Sequence, residues 1–301
     1  MSTTPKISIV FFGSSRFSVI VLDELMKLGH TPSLIITTPD KPQGRKLTLT
    51  PNVVKQWAIN HNITFLDPAK LDSTLIERLK YCGSDEPPAA DTIGKNQLHI
   101  VASYGKIIPS GVINIPQFGM LNIHPSLLPK YRGPSPLGTA ILDDEKRTGV
   151  TIMKIDEQMD HGPIIAQIPV NITEWPIYEE FEELMARKGA QLLAETIPGW
   201  VDGDIVERPQ DHSTATYTQK ITKEDALIDI SDPQADRYQN FRKIQAYHEW
   251  PQAYFNTERR GQKIRVKITD ATYAGDILTI KKVVPEGAKE MLYEDFVRGL
   301  K

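Results

Sequence analysis

Cysteine is almost missing: Cys82 is the only one in 301 residues. No intramolecular disulfide can form, and a reducing compartment is expected. Long apolar runs are missing too, and none approaches the ~20 residues that span a bilayer. The first, Ile7–Phe12, stops at Gly13-Ser14-Ser15-Arg16, so no secretory leader is expected. The Gly-x-Gly-x-x-Gly pattern is absent, which argues against a dinucleotide site, although Gly13-Ser14-Ser15 could cradle a phosphate. Ser126 lacks elbow glycines, and no His-x-x-x-His spacing exists for a helical metal site. Neither sign of charge dominates, at a formal −3, which excludes wholesale coating of nucleic acid. A soluble cytoplasmic protein is expected, with nothing in the sequence demanding more than a monomer.

The rest is ordinary globular material, 40% hydrophobic and 24% charged, long enough for one large domain and a smaller one. Strands and helices alternate from the start. Ile7–Phe12 reads as a central strand; Phe17, Ile20, Val21, Leu25 and Leu28 recur at helical spacing, and Gly29 ends that helix. Ser33–Thr38, Ile63–Leu66, Leu98–Ser103, Val150–Ile155 and Ile164–Val170 read as strands. Val53–His61, Leu71–Leu79, Ser135–Leu142 and Tyr178–Ile197 read as helices. This alternation predicts right-handed βαβ units and a mostly parallel sheet. Pro39–Lys46 is expected to be a loop, Gly83–Gly94 a surface insertion, and Asp202 to about Lys220 a linker. Beyond it, Lys263–Ile268 and Ile277–Val283 suggest a small barrel-like β domain.

The chemistry concentrates at Gly119–Gly133. Asn122 and His124 share one face of a strand that Pro125 ends. Asp160 follows in a loop between two strands, where packing rarely needs a carboxylate. An Asn-x-His pair on a buried strand is more often structural, and a metal set of His124, Asp160 and His161 is disfavoured because adjacent Asp-His side chains diverge. Together, though, an amide, an imidazole and a carboxylate suit attack of an amine on a carbonyl. Asn122 would donate to the developing oxyanion, His124 would move protons, and Asp160 would orient the imidazole or a relay water. Between Arg237 and Lys282 ten Lys and Arg stand against four Asp and Glu, a local basic excess that suits a polyanion as readily as plain solvation.

Asn122-x-His124, Ser126-Leu127-Leu128-Pro129, the Tyr131-Arg132-Gly133 turn and Asp160-His161-Gly162 follow the order and spacing of the folate-dependent formyltransferase superfamily, which this chain resembles. The resemblance implies a Rossmann-like, mostly parallel sheet and formyl transfer from 10-formyltetrahydrofolate to an amine, without metal or acyl-enzyme. It implies catalytic Asn122, His124 and Asp160. It also implies a donor site at Ser103, Tyr104, Gly105, Ser126, Leu127, Leu128, Pro129 and Gly162.

Thr38-Pro39-Asp40-Lys41-Pro42-x-Gly44-Arg45, with Thr50-Pro51-x-Val53-x-Lys55, resembles the loop by which the methionyl-tRNA branch of the superfamily enters the acceptor stem. Thr216-Tyr217-x-x-Lys220-Ile221, Trp250-Pro251 and Pro285-x-Gly287-x-Lys289-x-Met291 match that branch as well. The implied partner is initiator methionyl-tRNA, met by Lys41, Arg45, Lys46, Arg132, Lys263 and Arg265. The implied organisation is a catalytic domain at 1–203, a linker at 204–222 and a tRNA-binding, OB-like β-barrel at 223–301. Arg16, where an acid is usual, and the long Tyr81–Gln97 segment depart from the pattern. The same three catalytic residues would serve an amino-sugar nucleotide formyltransferase, with Arg16 meeting a phosphate, or a hydrolase of the donor.

Overall fold

The computed structural model describes residues 7–43, 48–80, 96–230, 232, 235–259 and 261–300. In chain order these give β1 (Ser8–Gly13), α1 (Arg16–Lys27), β2 (Leu34–Ile36), β3 (Lys41–Gln43), β4 (Thr48–Thr50), α2 (Val53–Asn60), β5 (Phe65–Leu66) and α3 (Ser73–Lys80). Then come β6 (Gln97–Ala102), α4 (Ser110–Ile113), β7 (Met120–His124), α5 (Pro136–Leu142), β8 (Arg147–Lys154), β9 (Ile164–Asn171) and α6 (Tyr178–Val201). Seven strands form one sheet in the order β5-β2-β1-β6-β7-β8-β9. The pairings from β5 to β7 are parallel. Such strands are covered on both faces, which is why β1 is a continuous apolar run with Val10, Phe11 and Phe12 fully buried.

The expected sheet is there, with one consequential difference. β8 runs antiparallel to β7, with Leu121 opposite Lys154 and His124 opposite Thr151. The loop to Asp160 therefore leaves the sheet at the edge opposite the one where β7 ends at His124. Ligands of parallel sheets sit beyond the carboxyl ends of the strands, so that loop must travel back over a sheet face to reach them. A second difference lies at Pro39–Lys46. A loop was expected there, yet β3 and β4 pair antiparallel, Lys41 with Thr50. Two prolines and a glycine masked that hairpin. The Gly83–Gly94 insertion, with Cys82 beside it, lies outside the described residues.

The chain forms two compact units. One gathers Met1–Arg132, Gly149–Val170 and Glu183–Tyr217; the other gathers Gly133–Thr148, Asn171–Glu182 and Thr218–Lys301. In the second, α7 (Arg237–Ala246) precedes β10 (Tyr254–Arg259), β11 (Gln262–Ala274), β12 (Ile277–Pro285), β13 (Met291–Leu292) and α8 (Tyr293–Arg298). The four strands make an antiparallel sheet in that order. Ile244, Phe255, Val266, Ile268, Val283 and Phe296 form its core. No helical pattern announces α7, because few of its residues are apolar. Tyr238 on it and Trp175 both donate to Asp144 (2.8 and 2.7 Å). The polar stretch read as a linker is instead built into the first unit as far as Tyr217: Arg208 bridges to Ile164 and Tyr217 to Arg132. Among the described residues no helix is long and apolar enough to cross a membrane.

One close contact fixes the strand that carries the site. A Cβ on Gly189, in α6, would lie 2.4 Å from Ile123 Cγ2 and 3.2 Å from Val150 Cγ1. The missing side chain lets the helix rest on the β7 face opposite Asn122 and His124. Gly189→Ala would gain about 1 kcal/mol of helix propensity, but overpacking a filled core costs about 1–3 kcal/mol, and Ile123 is 2% exposed. A net loss of stability is expected in chemical denaturation. An unchanged or raised midpoint would refute the close packing.

Candidate active site

β7 presents Asn122 and His124 on one face. Val101 and Met153 are the cross-strand partners of Asn122, and Thr151 is that of His124. Asn122 is half-buried, and among the described residues no group is hydrogen-bonded to its side chain. His124 is 4% exposed. Its Nε2–H donates to the Tyr131 carbonyl at 2.9 Å, which fixes the tautomer of the neutral ring. Nδ1 is then the free lone pair, and it lies 3.6 Å from Asp160 Oδ1. That separation is too long for a hydrogen bond but close enough for the carboxylate to stabilise an imidazolium once Nδ1 takes up a proton.

The loops that hold these groups are tied down bond by bond. Ser126, fully buried, donates to the Lys130 carbonyl at 2.7 Å. Thr151 donates to the Ser126 carbonyl (2.7 Å) and accepts from the Leu128 N–H (3.1 Å) and from Gln167 Nε2 (2.9 Å). Gln167 also donates to the Leu128 carbonyl, at 2.9 Å. Leu128 packs with Met153 and Ile164. The Ser126 and Leu128 side chains thus serve the loop's interior, while Leu127 and Pro129 are half-exposed. In the returning loop Asp160 has φ +50°, a conformation that non-glycine residues rarely adopt. A Cβ on Gly162 would meet the Lys154 carbonyl at 1.9 Å, so this position admits no side chain.

At the neighbouring strand ends, Ser14 Oγ donates to the Ser103 and Tyr104 carbonyls (3.1 and 2.9 Å). Ser103 and Gly105 are exposed with positive φ. Tyr104 is 2% exposed, and its ring meets Phe12 edge-on. Burial holds its phenol up at about 12. The phosphate cradle weighed for Gly13-Ser14-Ser15 does not form. The Ser14 and Ser15 N–H groups are spent on Ser18 Oγ (3.0 and 3.1 Å), which itself donates to the Ala102 carbonyl.

Other expected residues scatter. Lys41 is exposed, and Arg45 and Lys46 lie outside the described residues. The base of their hairpin is anchored by Lys55, whose Nζ reaches Asp40 at 3.0 Å and Asp67 at 2.7 Å. Lys263 and Arg265 are exposed on the β11 face opposite its core residues, with Arg265 4.0 Å over the Tyr254 ring. Arg132 is a correction. It was expected to face tRNA, yet it is 1% exposed and its guanidinium is engaged inside the first unit. Its Nε and Nη2 donate to Gln210 Oε1 (3.2 and 2.7 Å), its Nη1 to Tyr217 OH (3.2 Å), and its Nη2 to His212 Nδ1 (2.8 Å). Arg16 pairs with Glu183 at 3.3 Å, both side chains part-exposed. His161, weighed for a metal set, turns to Asp156 (2.6 Å) and stacks flat on His212 with ring centroids 4.0 Å apart. Gln210 and Thr151 were missed. Neither sits in a pattern that single-sequence reading can recognise.

An amide donor, an imidazole with one fixed nitrogen and one open one, and a carboxylate have the chemistry that amine attack on a carbonyl requires, set beside a mostly parallel sheet. The chain belongs to the formyl transferase family, whose profile, described as "Formyl transferase", matches residues 6–197. A methionyl-tRNA formyltransferase of Chloroflexus aurantiacus is 42% identical over 259 residues, covering 86% of this chain and 78% of that protein. One from Halalkalibacterium halodurans is 36% identical over 313 residues, covering 97% and 94%. Among solved structures, the methionyl-tRNA formyltransferase of Clostridium thermocellum shares the fold at TM-score 0.58 and 16% identity, over 93% of this chain and 99% of that one. So does a sugar 3N-formyl transferase crystallised with dTDP and 5-N-formyl-THF, at TM-score 0.61 and 19% identity, over 89% and 87%.

One buried base within the sheet has a measurable consequence. His99, on β6 next to β7, is fully buried, tilted against Phe12, and bonded through Nε2 to Gln97 at 3.2 Å. Its Nδ1 has no partner among the described residues. Burial pushes its pKa down to about 3 from 6.5. Below pH 6.5 the unfolded chain takes up a proton that the native chain refuses, so stability falls as pH drops from about 6.5 toward 3. The melting temperature of His99→Phe should decline less steeply over that range than that of the wild type. Parallel declines would refute the buried neutral imidazole.

Proposed function

We propose that this formyltransferase moves the formyl group of 10-formyltetrahydrofolate to the free amino group of methionyl-initiator tRNA. For the chemistry, the observation that carries this reading is the His124–Asp160 pair beside Asn122 on one strand face. For the acceptor, support comes from relatives named methionyl-tRNA formyltransferase that align over nearly the whole chain, the basic C-terminal segment included. The folate donor is supported by membership of the family and by a fold neighbour crystallised with 5-N-formyl-THF. An amino-sugar nucleotide acceptor is the weaker reading, since the sugar-acting neighbour shares only the fold, at 19% identity, against 36% and 42% for the relatives named for methionyl-tRNA. As a translation enzyme the protein would work in the cytoplasm.

In this reading the amine lone pair attacks the formyl carbon, a C–N bond forms, and the carbonyl π electrons move to oxygen. Asn122 donates to that oxyanion. His124 Nδ1 accepts the proton released by the attacking nitrogen, and Asp160 balances the imidazolium charge. As the bond to the donor nitrogen breaks, His124 returns the proton to that nitrogen. The exposed loop around Ser103 and Gly105, with Tyr104 beneath it, and the half-exposed Leu127 and Pro129 would border the donor, with the buried Gly162 backbone behind them. Residues 1–203, with the segment as far as Tyr217 packed onto them, would carry this chemistry. Lys41, Arg45 and Lys46 would approach the acceptor stem, and 223–301 would meet tRNA through Lys263 and Arg265.

The test is transfer of labelled formyl to charged initiator tRNA. Asn122→Ala should lower kcat about 10²–10³-fold, the worth of one oxyanion donor. His124→Ala should lower it about 10²–10⁴-fold, with the protein still folded in both cases. Wild-type protein that formylates no charged tRNA at saturating donor would sink the reading.

Lys263→Ala and Arg265→Ala should instead raise KM for tRNA and leave KM for the donor alone. Each should flatten the log–log salt dependence of tRNA binding by about 1. A salt slope that neither variant changes would remove these two residues from the tRNA face.

A further inference from the structure

We infer that Gln210 is a positioning residue that sets the spacing between His124 and Asp160, acting through the buried Arg132. The inference rests on the reading of these two groups as the proton-moving pair.

Gln210 is 5% exposed, and its carboxamide has no hydrogen-bonding capacity to spare. Oε1 takes two N–H groups of Arg132, at 3.2 and 2.7 Å. Nε2 gives one hydrogen to the Asp160 carbonyl at 2.9 Å and one to the Gly162 carbonyl at 2.7 Å. The orientation of the amide is unambiguous. A flip would set NH2 against a guanidinium and oxygen against two carbonyls. The two donated bonds bracket the turn in which Asp160 adopts φ +50°. Backbone in that region costs on the order of 1–3 kcal/mol and persists only where its surroundings over-determine it.

The other arm reaches His124. The Arg132 N–H donates to the Thr216 carbonyl at 2.9 Å, and the Tyr131 N–H to Thr216 Oγ1 at 2.8 Å. Tyr131, itself at φ +59°, thereby offers its carbonyl to His124 Nε2. The backbone of Asp160 and the ring of His124 are thus referenced to one Arg132–Gln210 pair, while the gap between their side chains, 3.6 Å, carries no bond of its own. Moving either partner changes that gap. An error of about 1 Å in such placement costs roughly 100-fold in rate.

Gln210→Glu separates positioning from mere stability. Glutamate keeps the oxygen that faces Arg132 and gains charge assistance there, but its second oxygen has no hydrogen to give Asp160 and Gly162 and repels their carbonyls. The expected result is a protein that still folds, its melting temperature lowered by the two lost carbonyl bonds but above the assay temperature. Its kcat should be down about 10–100-fold, its KM for donor and tRNA little changed, and its pH–rate profile displaced. In an Asp160→Asn background the same change should cost much less, because a residue that works through Asp160 has nothing left to position. Gln210→Met, of similar volume and uncharged, is read the same way if the glutamate variant does not fold. An unchanged kcat, an undisplaced pH profile or full additivity with Asp160→Asn would overturn the inference. So would the failure of both variants to fold, which would make Gln210 a residue of the fold alone. Absence of formyl transfer by the wild type would instead refute the underlying functional reading, so the two failures are told apart.

Discussion

A single buried cation organises the site. The Arg132 guanidinium has left solvent, and a charge moved into a low-dielectric interior costs several kcal/mol unless its hydrogens are all engaged. That requirement draws Gln210, His212 and Tyr217 around it, and so pulls the segment before Thr218 back onto the turn after β7. Gln210, saturated by Arg132 on one side, has only its amide hydrogens left, and these fall on the loop that carries Asp160. Without the buried charge the backbone bonds of Tyr131 and Arg132 to Thr216, and of Arg208 to Ile164, would be left to tie these stretches together.

The same cation constrains a second group. Arg132 is a donor only, so the His212 Nδ1 that it contacts must carry a lone pair, with the ring proton on Nε2. His161 lies flat against that ring and turns its own Nδ1 to Asp156. Beside the His124–Asp160 pair there is thus an ordered stack of two imidazoles, one of whose tautomers the arginine fixes. Nothing comparable holds Asn122, which is the one group of the three left to meet a ligand unencumbered among the described residues.

What could be read from the sequence was whatever periodicity and local chemistry encode. The buried run at β1 and the apolar stripe of α1 are of this kind, as is the i, i+2 placement of Asn122 and His124. Asp160 could be singled out because a carboxylate between two strands has no packing use. Long-range relations were not legible. A strand pattern does not carry its direction, so the reversal of β8 was invisible. Lys41–Gln43 has too many breakers to look like a strand, and α7 too few apolar residues to look like a helix. Arg132 sits in a polar turn and so resembled a surface charge. Its burial depends on Gln210, 78 residues away, in a stretch whose composition says only that it is hydrophilic.

The reversal of β8 also bears on how such a protein can diverge. Because the loop after Lys154 must climb back across the sheet, its two ends are fixed by the sheet, through the Lys154 N–H to Pro163 carbonyl bond at 3.0 Å, and its far turn by Gln210. Between those anchors Glu157, Gln158 and Met159 are exposed. That short crest can change in sequence or gain residues while the carboxylate beside it keeps its place. Selection can therefore work on what approaches the site without reopening how the site performs its reaction.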